Sequence, residues 1–106
     1  RLDESVYREL FGGIDEELSS IFAVARKAFL DSDSDLAEEV GHKKTVLAPQ
    51  CEDIIQDIAN SNMRSKEAVS YALIARYYKR LVAHLGNIAT SVILPFSDLD
   101  YYKPEN

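Results

Sequence analysis

Residues 66–94, KEAVSYALIARYYKRLVAHLGNIATSVIL, decide the fold. Tyr71, Ile74, Tyr78, Leu81, Leu85, Ile88 and Val92 recur at steps of 3, 4, 3, 4, 3 and 4. An α-helix returns its side chains to one side every 3.6 residues, so this spacing predicts one helix with a continuous apolar stripe. Ser65 is the expected N-cap, and Pro95 supplies the stop.

The same rhythm extends upstream. Val40, Lys44, Leu47, Cys51, Ile54 and Ile58 repeat at 4, 3, 4, 3 and 4, which predicts a helix over 35–60. Lys44 interrupts that seam, so its stem is expected to be buried while its amine reaches outward. Pro49 removes one backbone donor and crowds the carbonyl of Thr45, and a kink is expected there rather than a helix end. Before it, Asp31-Ser32-Asp33-Ser34-Asp35 reads as a turn with Ser34 as the N-cap, and Asp35, Glu38 and Glu39 suit the positive end of the helix dipole. Further upstream, Phe11, Ile14, Leu18, Ile21, Ala25 and Ala28 follow steps of 3, 4, 3, 4 and 3, with Phe22 and Phe29 widening the stripe. Gly12 and Gly13 each cost roughly 1 kcal/mol against alanine inside a helix. The pattern continues across them, and the reading is one helix over 5–30.

Three long helices joined by two short connections must run antiparallel. The expected architecture is all-α: an up-down-up three-helix bundle over residues 1–95, on the order of 40 Å long. Residues 96–106 read as an irregular aromatic and acidic tail. Its Phe96, Leu99, Tyr101 and Tyr102 are expected to pack back on the bundle or onto a second chain.

Composition narrows the function. The chain has 106 residues, of which 12 are Lys or Arg and 18 are Asp or Glu, for a formal charge of −6. Nucleic acid is therefore not an expected ligand, because phosphate backbones need a concentrated positive surface. The single cysteine, Cys51, excludes an internal disulfide and a thiolate metal site within one chain. On the apolar seam it reads as an inert small hydrophobe. Apolar runs such as Val92-Ile93-Leu94 are far too short to span a bilayer.

Candidate chemistry is sparse. Asp31-x-Asp33-x-Asp35 resembles a calcium loop, but that loop needs glycine sixth and glutamate twelfth, where this chain has Leu36 and His42. Glu39-Val40-Gly41-His42 matches one Glu-x-x-His step of a di-iron bundle, yet the other histidine, His84, has Leu81 at the corresponding place. His42-Lys43-Lys44 is a small basic spot, and His84 at the edge of the apolar stripe reads as a half-buried packing residue. Asp53 and Asp57 stand one turn apart and could grip a cation, but an exposed acidic face is the simpler reading. There is no Gly-x-Ser-x-Gly elbow and no glycine-rich phosphate loop. No catalytic residues are assigned, and the chain is not expected to be an enzyme.

The wording of two segments resembles the PhoU family. Ala28-Phe29-Leu30-Asp31-Ser32-Asp33-Ser34-Asp35-Leu36-Ala37-Glu38-Glu39-Val40 is similar to the turn between that family's first two helices. The stretch from Ala75 to Ala89, ARYYKRLVAHLGNIA, is similar to its signature, ARxLERIGDHAxNIA, at Ala75, Arg76, Arg80, His84, Asn87, Ile88 and Ala89. The resemblance covers about residues 14–94, one three-helix repeat, where members usually hold two. It implies a cytoplasmic regulator of phosphate uptake and signalling, peripheral at the inner face of the membrane and reaching the membrane only indirectly through a transporter. The implied partners are phosphate transporter components or a sensor kinase, together with a second repeat or a second copy of the chain. A second implied setting is the cytosolic tail of a sodium/phosphate cotransporter, and a third reading is a metal-binding helical bundle. Arg76, Arg80, His84, Asn87, Phe96, Tyr101 and Tyr102 are the contact candidates. Family members bind iron or zinc clusters through a carboxylate pair in this helix. Here those positions are Lys79 and Ala83, neither of which can ligate a metal, and Val82 replaces the signature glycine. No cofactor is therefore carried over, with Asp53 and Asp57 the weak alternative. The chain is expected to be one repeat of a larger design.

Overall fold

The helical rhythm of the sequence is realised, in a computed structural model that describes residues 3–93, as four helices: α1 (Glu4–Phe11), α2 (Asp15–Asp31), α3 (Ser34–Ala59) and α4 (Ser65–Ile93). There is no strand among the described residues. The helix expected over 5–30 is thus two helices. The Gly12 N–H donates to the Arg8 carbonyl at 2.8 Å and the Ile14 N–H to the Phe11 carbonyl at 3.0 Å, which closes α1. A Cβ on Gly12 would stand 2.5 Å from the Arg8 carbonyl oxygen, so this tight exit demands glycine, whereas a Cβ on Gly13 meets nothing. Ile14 then precedes α2 without a side-chain cap, its own side chain only 4% exposed in the core.

The break lets α1 lean on the first half of α4 through aromatic rings. Phe11 stacks on Tyr7 at 4.8 Å and meets Tyr78 edge-on at 5.6 Å. The hydroxyls of Tyr7 and Tyr78 share a hydrogen bond of 2.7 Å. Tyr71, fully buried, donates its hydroxyl to the Asp3 carbonyl and accepts from the Asp3 N–H. Each buried hydroxyl thus finds a partner, as the low-dielectric interior requires.

α2, α3 and α4 pack on one another, α3 with α4 most extensively. α3 and α4 run antiparallel: Glu52 meets Lys79 near the connecting turn, Lys44 meets Gly86 further along, and Ala37 and Gly41 share a hollow with Ala89 and Thr90. The inward side of α4 differs from expectation. Its buried residues are Tyr71, Ala75, Val82, Gly86 and Ala89, while Ile74, Tyr78, Leu85, Ile88 and Val92 are only partly buried at the flanks and Leu81 is half-buried. Small residues lie at the centre because they let the two backbones draw close, and the larger ones then wrap the sides. A Cβ on Gly86 would lie 2.6 Å from Cδ of Lys44, so the aliphatic stem of Lys44 occupies that gap, as its place in the seam suggests.

The ends of the helices also carry corrections. Asp33, not Ser34, caps α3, its Oδ1 accepting from the N–H groups of Asp35 (3.0 Å) and Leu36 (3.1 Å). Ser32 before it takes the left-handed conformation, φ 49°, that ends α2. Ser65 is the first residue of α4 rather than its cap. α3 continues through Pro49 as one element. No helix of the described residues is long and apolar enough to cross a membrane. Pro95 and the tail residues Phe96, Leu99, Tyr101 and Tyr102 lie outside the described residues.

Two measurements test this account. Gly12→Ala should lower stability by about 1 kcal/mol or more in denaturant melts, while Gly13→Ala should be neutral or stabilising. Burial, reinforced by the hydrogen bond with Tyr78, pushes the Tyr7 phenol well above its ordinary range. The folded chain therefore prefers the neutral phenol, so this contribution is complete below the unfolded value of about 10 and is lost as pH climbs beyond it. The denaturation midpoint should fall above about pH 10, and Tyr7→Phe should flatten that fall.

Candidate functional site

α4 faces the core with its small residues, which leaves two further sides of the same helix to line surface features. On one side Arg76, Lys79, Arg80 and Ala83 fall at steps of 3, 1 and 3, one continuous helical face. With Glu52 and Ile55 of α3 they line a cleft of about 420 Å³. Lys79 forms an ion pair with Glu52 across the helix pair. Arg76 and Arg80 are exposed and enter no ion pair among the described residues. Beneath them, Cys51 is fully buried, and desolvation pushes its thiol above the usual value although the Lys79 charge acts the other way. That thiol is packing, not a nucleophile.

The opposite side of α4 forms a different surface. Leu85, Ile88 and Ser91, with Phe22, Ala23, Ala25, Arg26 and Phe29 of α2, line an open groove of about 560 Å³. Phe22 and Phe29 were expected to broaden the core stripe of the first helix. They are instead 43% and 58% exposed, because Ile21, Ala25 and Ala28 already fill the contact with α3 and α4. The result is an apolar furrow with aromatic walls and a floor of alanines, with Arg26 its sole charged residue.

The remaining candidates separate. His84 and Asn87 are exposed on α4, so His84 is not the half-buried packing residue its position suggests. Asp53 and Asp57 are exposed on α3. Lys43 sits between Glu39 (3.9 Å) and Glu17 (4.0 Å) and Lys44 lies along Gly86, so the basic spot at His42-Lys43-Lys44 is largely engaged. Asp31 pairs with Lys27 and Asp33 caps α3, which accounts for the acidic turn without a cation. The residues at the family's metal positions do not fit iron or zinc: Ala83 offers no donor, and the Lys79 ammonium occupies the Glu52 carboxylate. Among the described residues no three His, Cys, Asp or Glu side chains gather closely enough to hold a metal ion. No family model matches the chain, and no curated protein or solved structure matches it either.

Sequence reasoning missed Glu52 and Ile55 in the cleft, and Ala23 and Arg26 in the groove. Folding the α3–α4 hairpin about the turn at 60–64 would set Glu52 near residue 72, so the pairing of Glu52 with Lys79 depends on how the two helices pack and not on the turn alone.

The groove residues should be dispensable for folding. At concentrations low enough to keep the chain monomeric, Phe29→Ser should change stability by no more than about 0.5 kcal/mol, as for most surface positions. Ile21→Ala, one position inside the wall, should cost about 2–4 kcal/mol in the same denaturant melts.

Proposed function

We propose that this chain is a non-catalytic, PhoU-like regulator of phosphate uptake and signalling that works at the inner face of the membrane through protein–protein contacts. α2, α3 and α4, with their short connections, support reading the body as an up-down-up three-helix repeat to which α1 is a lead-in. The phosphate assignment rests on the α4 residues Ala75, Arg76, Arg80, His84, Asn87, Ile88 and Ala89 and on the acidic turn before α3. Transporter components or a sensor kinase are its partners in this reading.

The observation that carries the contact mechanism is the apolar groove between α2 and α4. Its occupant is another three-helix unit, and the simplest is a second copy of the chain. The face is self-complementary: Phe22 and Phe29 project, while Ala23 and Ala25 leave a hollow between the helices. A two-fold contact of that kind sets each projecting ring against the partner's hollow. Burial of exposed aromatic surface supplies the driving force, since such patches are uncommon on free monomers.

Sedimentation of the intact chain should show a dimer at tens of micromolar, with Phe29→Asp giving a monomer of unchanged helicity. A strict monomer at that concentration would remove the self-association. In the chain's own host, its depletion should raise phosphate uptake under phosphate-replete growth, and unchanged uptake would remove the phosphate assignment.

A further inference from the structure

Three cations and one carboxylate line the α3–α4 cleft: Arg76, Lys79 and Arg80 against Glu52. The cleft thus carries a net charge of +2 (three minus one) on a chain whose formal charge is −6. The 18 acids of the chain offer many partners, yet among the described residues none lies within ion-pair distance of either guanidinium. Arg76 and Arg80 stand one turn apart on the same face, so their planar donor forks can converge on one group.

We propose that this cleft binds the phosphomonoester dianion of a small organic molecule. Three observations select that class. The net charge of the lining matches a group carrying about −1.5 to −2 at neutral pH, and exceeds what a monocarboxylate or sulfate ester can neutralise. Guanidinium pairs bind phosphoryl oxygens in bidentate fashion, with Lys79 adding a point charge between them. The cleft, at about 420 Å³, is far larger than a bare phosphate, and Ile55 and Ala83 give an apolar wall for the organic part. Glu52 plays a second role: its pairing holds Lys79 at the cleft and lowers the positive charge toward that of the ligand.

The proposal concerns the side of α4 away from the apolar groove; it shares Arg76 and Arg80 with the phosphate assignment but needs neither that assignment nor the self-association. Its test is a titration of the intact chain, followed by amide chemical shifts, with phenyl phosphate, phenyl sulfate and inorganic phosphate. Phenyl phosphate should move resonances around Glu52, Ile55, Arg76, Lys79, Arg80 and Ala83. Phenyl sulfate, with the same ring and a single charge, should bind at least about tenfold more weakly, and inorganic phosphate, lacking the ring, should bind more weakly than phenyl phosphate. Arg76→Gln and Arg80→Gln should each weaken phenyl phosphate binding about tenfold, the size expected for one charge-assisted hydrogen bond. Circular dichroism of each variant should match that of the parent, as both side chains are exposed. Equal affinity for the two phenyl esters, indifference to both arginine substitutions, or shifts centred elsewhere would overturn the assignment.

Discussion

The packing of α3 on α4, the most extensive helix contact in the described residues, sets where the outer sides of α4 stand, because α4 meets α3 largely over small side chains. Ala75, Gly86 and Ala89 of α4 are buried opposite Ala37, Cys51 and the stem of Lys44, and only Val82 adds a branched side chain at that centre of α4. When small residues occupy the contact line, dispersion contacts come from backbone and Cβ atoms and larger side chains are displaced to the flanks. That displacement puts Leu85 and Ile88 on the α2 side and Arg76, Lys79 and Arg80 on the cleft side. Had Leu81 and Leu85 pointed straight at α3, the helices would stand further apart and neither feature would form as it does.

The same constraint explains what could be read from the sequence. The existence and extent of α3 and α4 were legible because apolar residues recur with helical period over more than three turns of each. Which side of α4 points inward was not. A tally of apolar residues weights Ile74, Leu81 and Leu85 heavily and alanine or glycine lightly, whereas close packing rewards small size at the contact. The first helix misread for a related reason. The average cost of a helical glycine is too small to end a strong pattern, and the deciding fact is local: at Gly12 a Cβ would collide with the Arg8 carbonyl. The Asp33 cap lay one residue from the Ser34 expected, two residue types that cap about equally well.

Site residues divide along the same line. Arg76 and Arg80 were visible through the resemblance of the Ala75–Ala89 stretch to the PhoU signature, which lies within one helix. Glu52 and Ile55 belong to the cleft only through the pairing of α3 with α4, a long-range fact that no local motif encodes. Phe22 and Phe29 carry a subtler lesson. Both have the hydrophobicity of core residues and nearly the phase of the buried stripe, yet α2 makes a narrower contact than a bundle helix needs when all its large side chains are buried. The aromatic packing of Tyr71 and Tyr78 goes instead to Phe11 at the end of α1.

α4 therefore serves three neighbours at once, and its sequence assigns a different chemistry to each. Toward α3 it offers small residues, which contribute close packing and tolerate little change of volume. Toward α2 it offers Leu85 and Ile88, partly covered and able to receive more apolar surface. Toward the outer edge of α3 it offers two guanidiniums with no acidic partner among the described residues, and a lysine already neutralised by Glu52. Because the fully buried contacts lie in the first set, the exposed positions of the outer faces can change without unfolding the chain. The two surfaces are thus chemically distinct sides of one helix, one lined by apolar and aromatic side chains and the other by two guanidiniums beside a lysine–glutamate pair.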